Sequence, residues 1–183
     1  MTAIDSGRRS DRLDHARRLA EGGDLDGAAA IFAELAADEA APERGEAGEG
    51  LSVVVERMAE RLLEDGEPER AADVLLEALS VSTVADPARL RVLLGMAHLE
   101  MACAQFAGAV EDSRQEGADA GTGALAIELL ARTLPLRGRD ADAETVWRYG
   151  LDHPDEALAE QVRLRLGRDV RPAMEEVVEG VEA

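Results

Sequence analysis

Glu56 and Glu60 stand one helical turn apart, a spacing at which two carboxylates on one face could hold a cation or divide the roles of general acid and base. No His and no second carboxylate motif follows at matching spacing, and an acidic chain produces such pairs by chance, so a solvated helix face is the plainer reading. None of His15, His98 or His153 has a Glu three residues before it, which removes the usual zinc-protease and di-iron patterns. No Ser lies in a Gly-x-Ser-x-Gly elbow. Cys103, between Ala102 and Ala104, reads as a small buried thiol rather than a nucleophile. Gly121-Thr122-Gly123-Ala124-Leu125-Ala126 fits a loose dinucleotide-binding pattern, yet no strand precedes it, and it reads as a loop opening a helix. The expectation is a chain with no catalytic residue, no cofactor and no metal site.

Composition narrows the classes further. The 183 residues suffice for one buried domain or a short stack of repeats with a tail at each end. Ala and aliphatic residues supply nearly all the apolar content, and only Phe32, Phe106, Trp147 and Tyr149 are aromatic, a mixture that favours close-packed helices over sheets. Twenty basic residues against 39 acidic ones give a net charge of -19. That field repels nucleic acid and anionic lipid and suits solubility or a basic partner. Every basic residue is Arg; Lys and Asn are absent. The single cysteine allows no intramolecular disulfide and suits a reducing compartment, with the cytoplasm as the expected location. Arg8-Arg9 is followed by polar residues and by no apolar stretch of about 7–15 residues, and no run approaches about 18 continuous apolar residues, so neither an export signal nor a membrane span is expected.

The elements that would position these residues are helices. Residues 1–10 carry no periodicity and read as a frayed lead-in, with helix starting after Asp11. Apolar helical stretches of about a dozen residues then alternate with short Gly-Asp or Gly-Glu breaks, the punctuation of antiparallel helix pairs. The breaks recur in similar company. Gly23 leads to Ala28 and Phe32, Gly66 to Ala71 and Leu75, and Gly138 to Ala143 and Trp147; a weaker copy runs from Ala104 through Phe106 and Ala109. In each good copy Gly supplies the backbone angles that end one helix, a small Ala five residues on lets two helices approach, and a bulky residue four further on fills the space between them. Breaks 43, 38 and 34 residues apart have the period of stacked repeats. The stretches Glu39 to Gly50 and Gly117 to Gly123 read as loops, Glu156 to Leu166 as a capping helix, and 168–183 as an acidic tail.

These residues resemble the tetratricopeptide repeat, a pair of antiparallel helices of about 34 residues stacked into a right-handed superhelix. The resemblance covers residues 11 to 154. It is carried by Gly23, Ala28 and Phe32; by Ala59, Leu62, Gly66, Ala71, Leu75 and Ala78; by Met96, Ala97, Phe106 and Ala109; and by Ala131, Leu134, Gly138, Ala143, Trp147 and Gly150, with Pro154 near the family's closing proline. The Trp and Tyr characteristic of the family's first helix are missing, and Ala104 stands where a turn Gly belongs. The resemblance implies an all-α solenoid of about four antiparallel helix pairs over 11–167, capping helix included, that acts as an adaptor or scaffold.

In that family the first helix of each pair lines a concave groove that grips a partner segment. Position by position this implies a groove of Arg17 and Glu21, then Glu56, Glu60 and Glu64, then Arg91 and His98, then Glu128 and Arg132. The carboxylates of the second pair would meet Arg or Lys of a partner protein or peptide. The chain lacks the Lys and Asn with which some members clamp a terminal carboxylate. The alternatives are a self-associating structural or regulatory subunit and, more distantly, an enzyme using the Glu56 and Glu60 carboxylates.

Overall fold

Short runs of Ala, Leu, Glu and Arg between Gly-centred breaks are strong helix formers, and the chain is all-α in the computed structural model, which describes residues 3–115 and 117–167, with side chains described from Asp11 onward. The helices are α1 (Ala3–Gly22), α2 (Leu25–Ala37), α3 (Arg44–Glu64), α4 (Pro68–Ser80), α5 (Pro87–Asp112), α6 (Ala120–Thr133), α7 (Asp140–Leu151) and α8 (Glu156–Gly167), with a 3-10 turn at Leu134–Arg137. Among the described residues there is no strand. The acidic tail expected at 168–183 lies outside the described residues.

The three glycine breaks behave as their chemistry requires. Gly23, Gly66 and Gly138 have φ of 88°, 76° and 68°, the left-handed region in which a Cβ is disfavoured. The Ala five residues after each is buried, at 0% exposure for Ala28 and Ala71 and 6% for Ala143. Of the bulky residues that follow, Phe32 and Leu75 are buried and Trp147 is partly buried.

Four boundaries differ from the sequence reading. Helix α1 begins at Ala3, ahead of the start expected after Asp11; extending a formed helix fixes one residue per hydrogen bond and costs far less than nucleating one. Helix α3 begins at Arg44, so Glu46 to Gly50 are helical, and Gly48 and Gly50 serve close packing rather than a loop. Helix α6 begins at Ala120 behind the Asp119 cap, so Gly121 and Gly123 also lie inside a helix. Most consequentially, α5 runs unbroken through Ala104, where the sequence reading placed the turn of a third helix pair. Ala is the best helix former, so nothing there ends the helix, and the third pair is one long helix.

Helix α5 is also long and apolar enough, by length and composition alone, to pass for a membrane-crossing helix, with a mean hydropathy of 1.3 over its most apolar window. The sequence reading found no such segment because His98 and Glu100 interrupt the apolar run. Its Leu90, Leu93, Ala97, Cys103 and Val110 are buried among other helices.

The contacts divide the chain into two compact units, one ending at Met101 and the other beginning at Ala102. In the first, α2 packs against α1 and α3, and α3 packs against α4. Leu13 and Ala16 of α1, Phe32 and Leu35 of α2, Leu51, Val54 and Val55 of α3, Leu75 of α4, and Leu90 and Leu93 of α5 form its core. A smaller cluster joins Ala71 and Ala72 to Ala97. The carbonyl of Ala36, a buried residue in the last turn of α2, accepts from Arg44 Nε at 2.9 Å and Thr83 Oγ1 at 3.1 Å, while Arg44 also donates to Ser82 Oγ at 2.7 Å. The end of α2 thereby anchors both the start of α3 and the loop between α4 and α5.

In the second unit α6 packs against α7 and α8. Ile127 and Leu130 meet Leu158 and Val162, with Cys103 and Val110 in the same cluster. Gly150 lets α7 approach closely, since a Cβ there would meet Ile127 and Val162 at 3.0 Å. Helix α8 lies where a helix was expected over Glu156 to Leu166, and it packs on α6 and α7.

Candidate functional site

Helix α3 carries the charged face. Glu46, Glu49, Val53, Glu56, Glu60 and Glu64 follow a spacing of three or four residues and so share one side of it. Val53, 59% exposed, lies among them, and Glu64 is exposed at the C-terminal end.

Neighbouring helices reach across to this side through arginines. Arg17 of α1 donates to Glu46 at 2.7 Å and to Asp14 on its own helix at 3.3 Å. The hydrogen bond to Glu46 holds its guanidinium pKa above the ordinary value. Arg89 at the start of α5 pairs with Glu56 and lies 3.8 Å from Glu60. Its pKa is raised too, chiefly by the hydrogen bond to Glu56. Glu21 on α1 is exposed, as are Arg91 and His98 on α5.

Glu128 and Arg132 belong to the second unit and do different work. Glu128 is only 13% exposed and accepts from Arg132 on its own helix and from Arg165 of α8, each at 2.9 Å. Arg165, 17% exposed, also approaches the Gly121 carbonyl at 3.5 Å, and its buried Nε has no hydrogen-bond partner among the described residues. This is a clamp holding α8 on α6.

Thus the nine groove residues of the sequence reading separate by role. Arg17, Glu56 and Glu60 tie helices together, Glu128 and Arg132 belong to a clamp within the second unit, and Glu21, Glu64, Arg91 and His98 present exposed side chains. Glu46 and Arg89 were missed. Glu46 was hidden by reading 39–50 as a loop, although its distance from Glu56 and Glu60 would have put all three on one face had the helix been extended back.

Glu56 and Glu60 both lie against Arg89, so the two carboxylates share one guanidinium. No group of three His, Cys, Asp or Glu side chains placed to hold a metal occurs among the described residues. Cys103 is buried, with its Sγ 3.3 Å from Thr133 Oγ1. Compared with family models, with curated proteins and with solved structures, the chain matches none.

Proposed function

We propose that the chain is a non-catalytic protein-interaction module of tetratricopeptide type, in which a right-handed stack of helix pairs presents the α1, α3 and α5 side to a segment of another protein. The observation that carries this reading is the lateral tying of α1 to α3 through Arg17 and Glu46, and of α3 to α5 through Arg89 with Glu56 and Glu60. Stacked repeats join the first helices of successive pairs side by side in this way. The buried small residues at the repeat positions, Ala28, Ala59, Ala71, Ala97, Ala131 and Ala143, support it from the packing side. Continuous α5 removes one helix pair from the four first expected. A buried lone thiol suits a reducing compartment such as the cytoplasm.

On this reading the exposed carboxylates Glu21 and Glu64 meet basic groups of the partner, and Arg17, Glu56 and Glu60 keep the presenting helices in register. Immobilised full-length protein is expected to retain the same partner protein in replicate captures from native extract, and the double variant Glu21→Lys with Glu64→Lys to retain less of it. Captures with no protein in common, together with saturable turnover of a small molecule by the purified chain, would overturn the reading.

A further inference from the structure

Away from the charged face, the first unit carries an apolar cleft. It runs between α2 and α4, is floored by Leu51, Val55 and Met58 of α3, and has a volume of about 180 Å³. Its α2 wall is made of Ala29, Ala30 and Ala33, so large side chains of an occupant would find room there. Towards the Gly23 and Gly66 turns the cleft continues into a more polar recess of about 300 Å³, with Asp26, Met58 and Val74 lining both.

Charge selects among occupants. Five carboxylates and two guanidinium groups line the two recesses. Arg70 is bound by Glu67 and also feels Asp26, and Arg61 lies 3.9 Å from Asp65. Glu77 on the α4 wall makes no ion pair among the described residues, and with Asp26 it leaves the apolar stretch bordered by negative charge on both sides. An anionic lipid surface or a nucleic acid would be repelled, whereas a segment with aliphatic side chains and flanking cations matches both floor and rim. The walls α2 and α4 have 13 residues each, a length of roughly 20 Å, which accommodates about three turns of helix.

We infer that the cleft between α2 and α4 is a second docking site, for an amphipathic helix of another protein with aliphatic residues at i, i+3 or i+4, and i+7 and with Lys or Arg beside them. This rests on reading the chain as a protein-interaction module, and it adds a surface separate from the α1, α3 and α5 side.

The test pans a display library of helix-length random peptides against the full chain, then measures the enriched peptides singly by fluorescence anisotropy. Enriched sequences are expected to be cationic with aliphatic residues at helical spacing. Their affinity should fall roughly tenfold or more in Ala30→Arg, which places bulk and like charge in the cleft from an exposed position, and severalfold in Asp26→Asn with Glu77→Gln. Helicity and melting temperature of each variant confirm that it folds. Peptides that bind Ala30→Arg as tightly as the parent chain overturn the cleft; if they are instead lost in Glu21→Lys with Glu64→Lys, the proposed function stands without it. No enrichment, while captures still return a protein partner, removes the cleft alone. No enrichment and no captured partner removes both.

Discussion

At the scale of single residues, a few charged side chains join one helix to another, among them Arg17, Arg89 and Arg165. Glu128 illustrates how burial ranks two chemically alike partners. Its bond to Arg165 joins two largely covered side chains, 13% and 17% exposed, whereas Arg132 is 39% exposed. Less water around the pair means less screening, and removing one partner leaves the other charge poorly solvated. Double-mutant cycles are therefore expected to give a larger coupling for Glu128 with Arg165, about 1–3 kcal/mol, than for Glu128 with Arg132, about 0.3–0.5 kcal/mol as for exposed pairs on one helix. Equal couplings would mean that α8 is held by its apolar contacts and not by the clamp. Asp119 gives a pH-dependent counterpart. It caps α6 by accepting from the Thr122 hydroxyl at 2.8 Å and the Thr122 N–H at 2.7 Å, and these bonds hold its pKa below the ordinary value. A depressed carboxylate adds stability above its unfolded pKa and loses it as pH falls through the lower folded value. Asp119→Ala should thus melt below the parent protein at neutral pH, and the gap should narrow on acidification below the usual Asp range, about 3.9. A gap that stays constant with pH would assign the cap's contribution to shape alone.

At the scale of elements, small residues decide how close the helices come. Gly48 on α3 lies under the Thr83 carbonyl, so a Cβ there would collide with backbone that has no side-chain freedom to yield. Gly48→Ala should cost about 1–3 kcal/mol in denaturant unfolding despite the better helix propensity of Ala. Gly95 in α5 faces open space, and Gly95→Ala should raise stability by about 0.5–1 kcal/mol through propensity. The two substitutions are chemically identical, so opposite signs isolate packing; the same sign in both would contradict the close approach at Gly48. Both glycines were visible in the sequence, yet nothing local separates them. The turn glycines were legible because positive φ is a local demand with a recurrent sequence context. Gly48 answers to Thr83, 35 positions away, and such a neighbour leaves no trace at short range. The unbroken α5 shows the opposite error. Similarity to the other copies suggested a turn at Ala104, while local helix propensity pointed the right way.

At the scale of the whole chain, each unit has its own buried cluster. Leu75 and Ile127 are fully buried, one in each, and replacing either with Ala should cost about 2–5 kcal/mol. Hydrogen exchange should then locate the loss: faster exchange in α1 to α4 for Leu75→Ala, and in α6 to α8 for Ile127→Ala. Uniform acceleration along the chain in both variants would show a single cooperative core instead. By itself the sequence determined the helical class, the three glycine turns, the small residues buried behind them, the helix at α8 and the acidic character of α3. Each of these rests on composition or on spacings within a few turns, and so survives without knowledge of distant neighbours. The tertiary structure decided which charges are bound and which are exposed. Arg17 finds Glu46, Arg89 finds Glu56 and Glu60, and Arg165 finds Glu128, all across helix boundaries. It also decided where the apolar cleft lies, because a cleft between α2 and α4 exists only once both have packed on α3. Spacing along one helix shows which residues share a face; what lies opposite that face is set by helices that sequence order alone does not bring together.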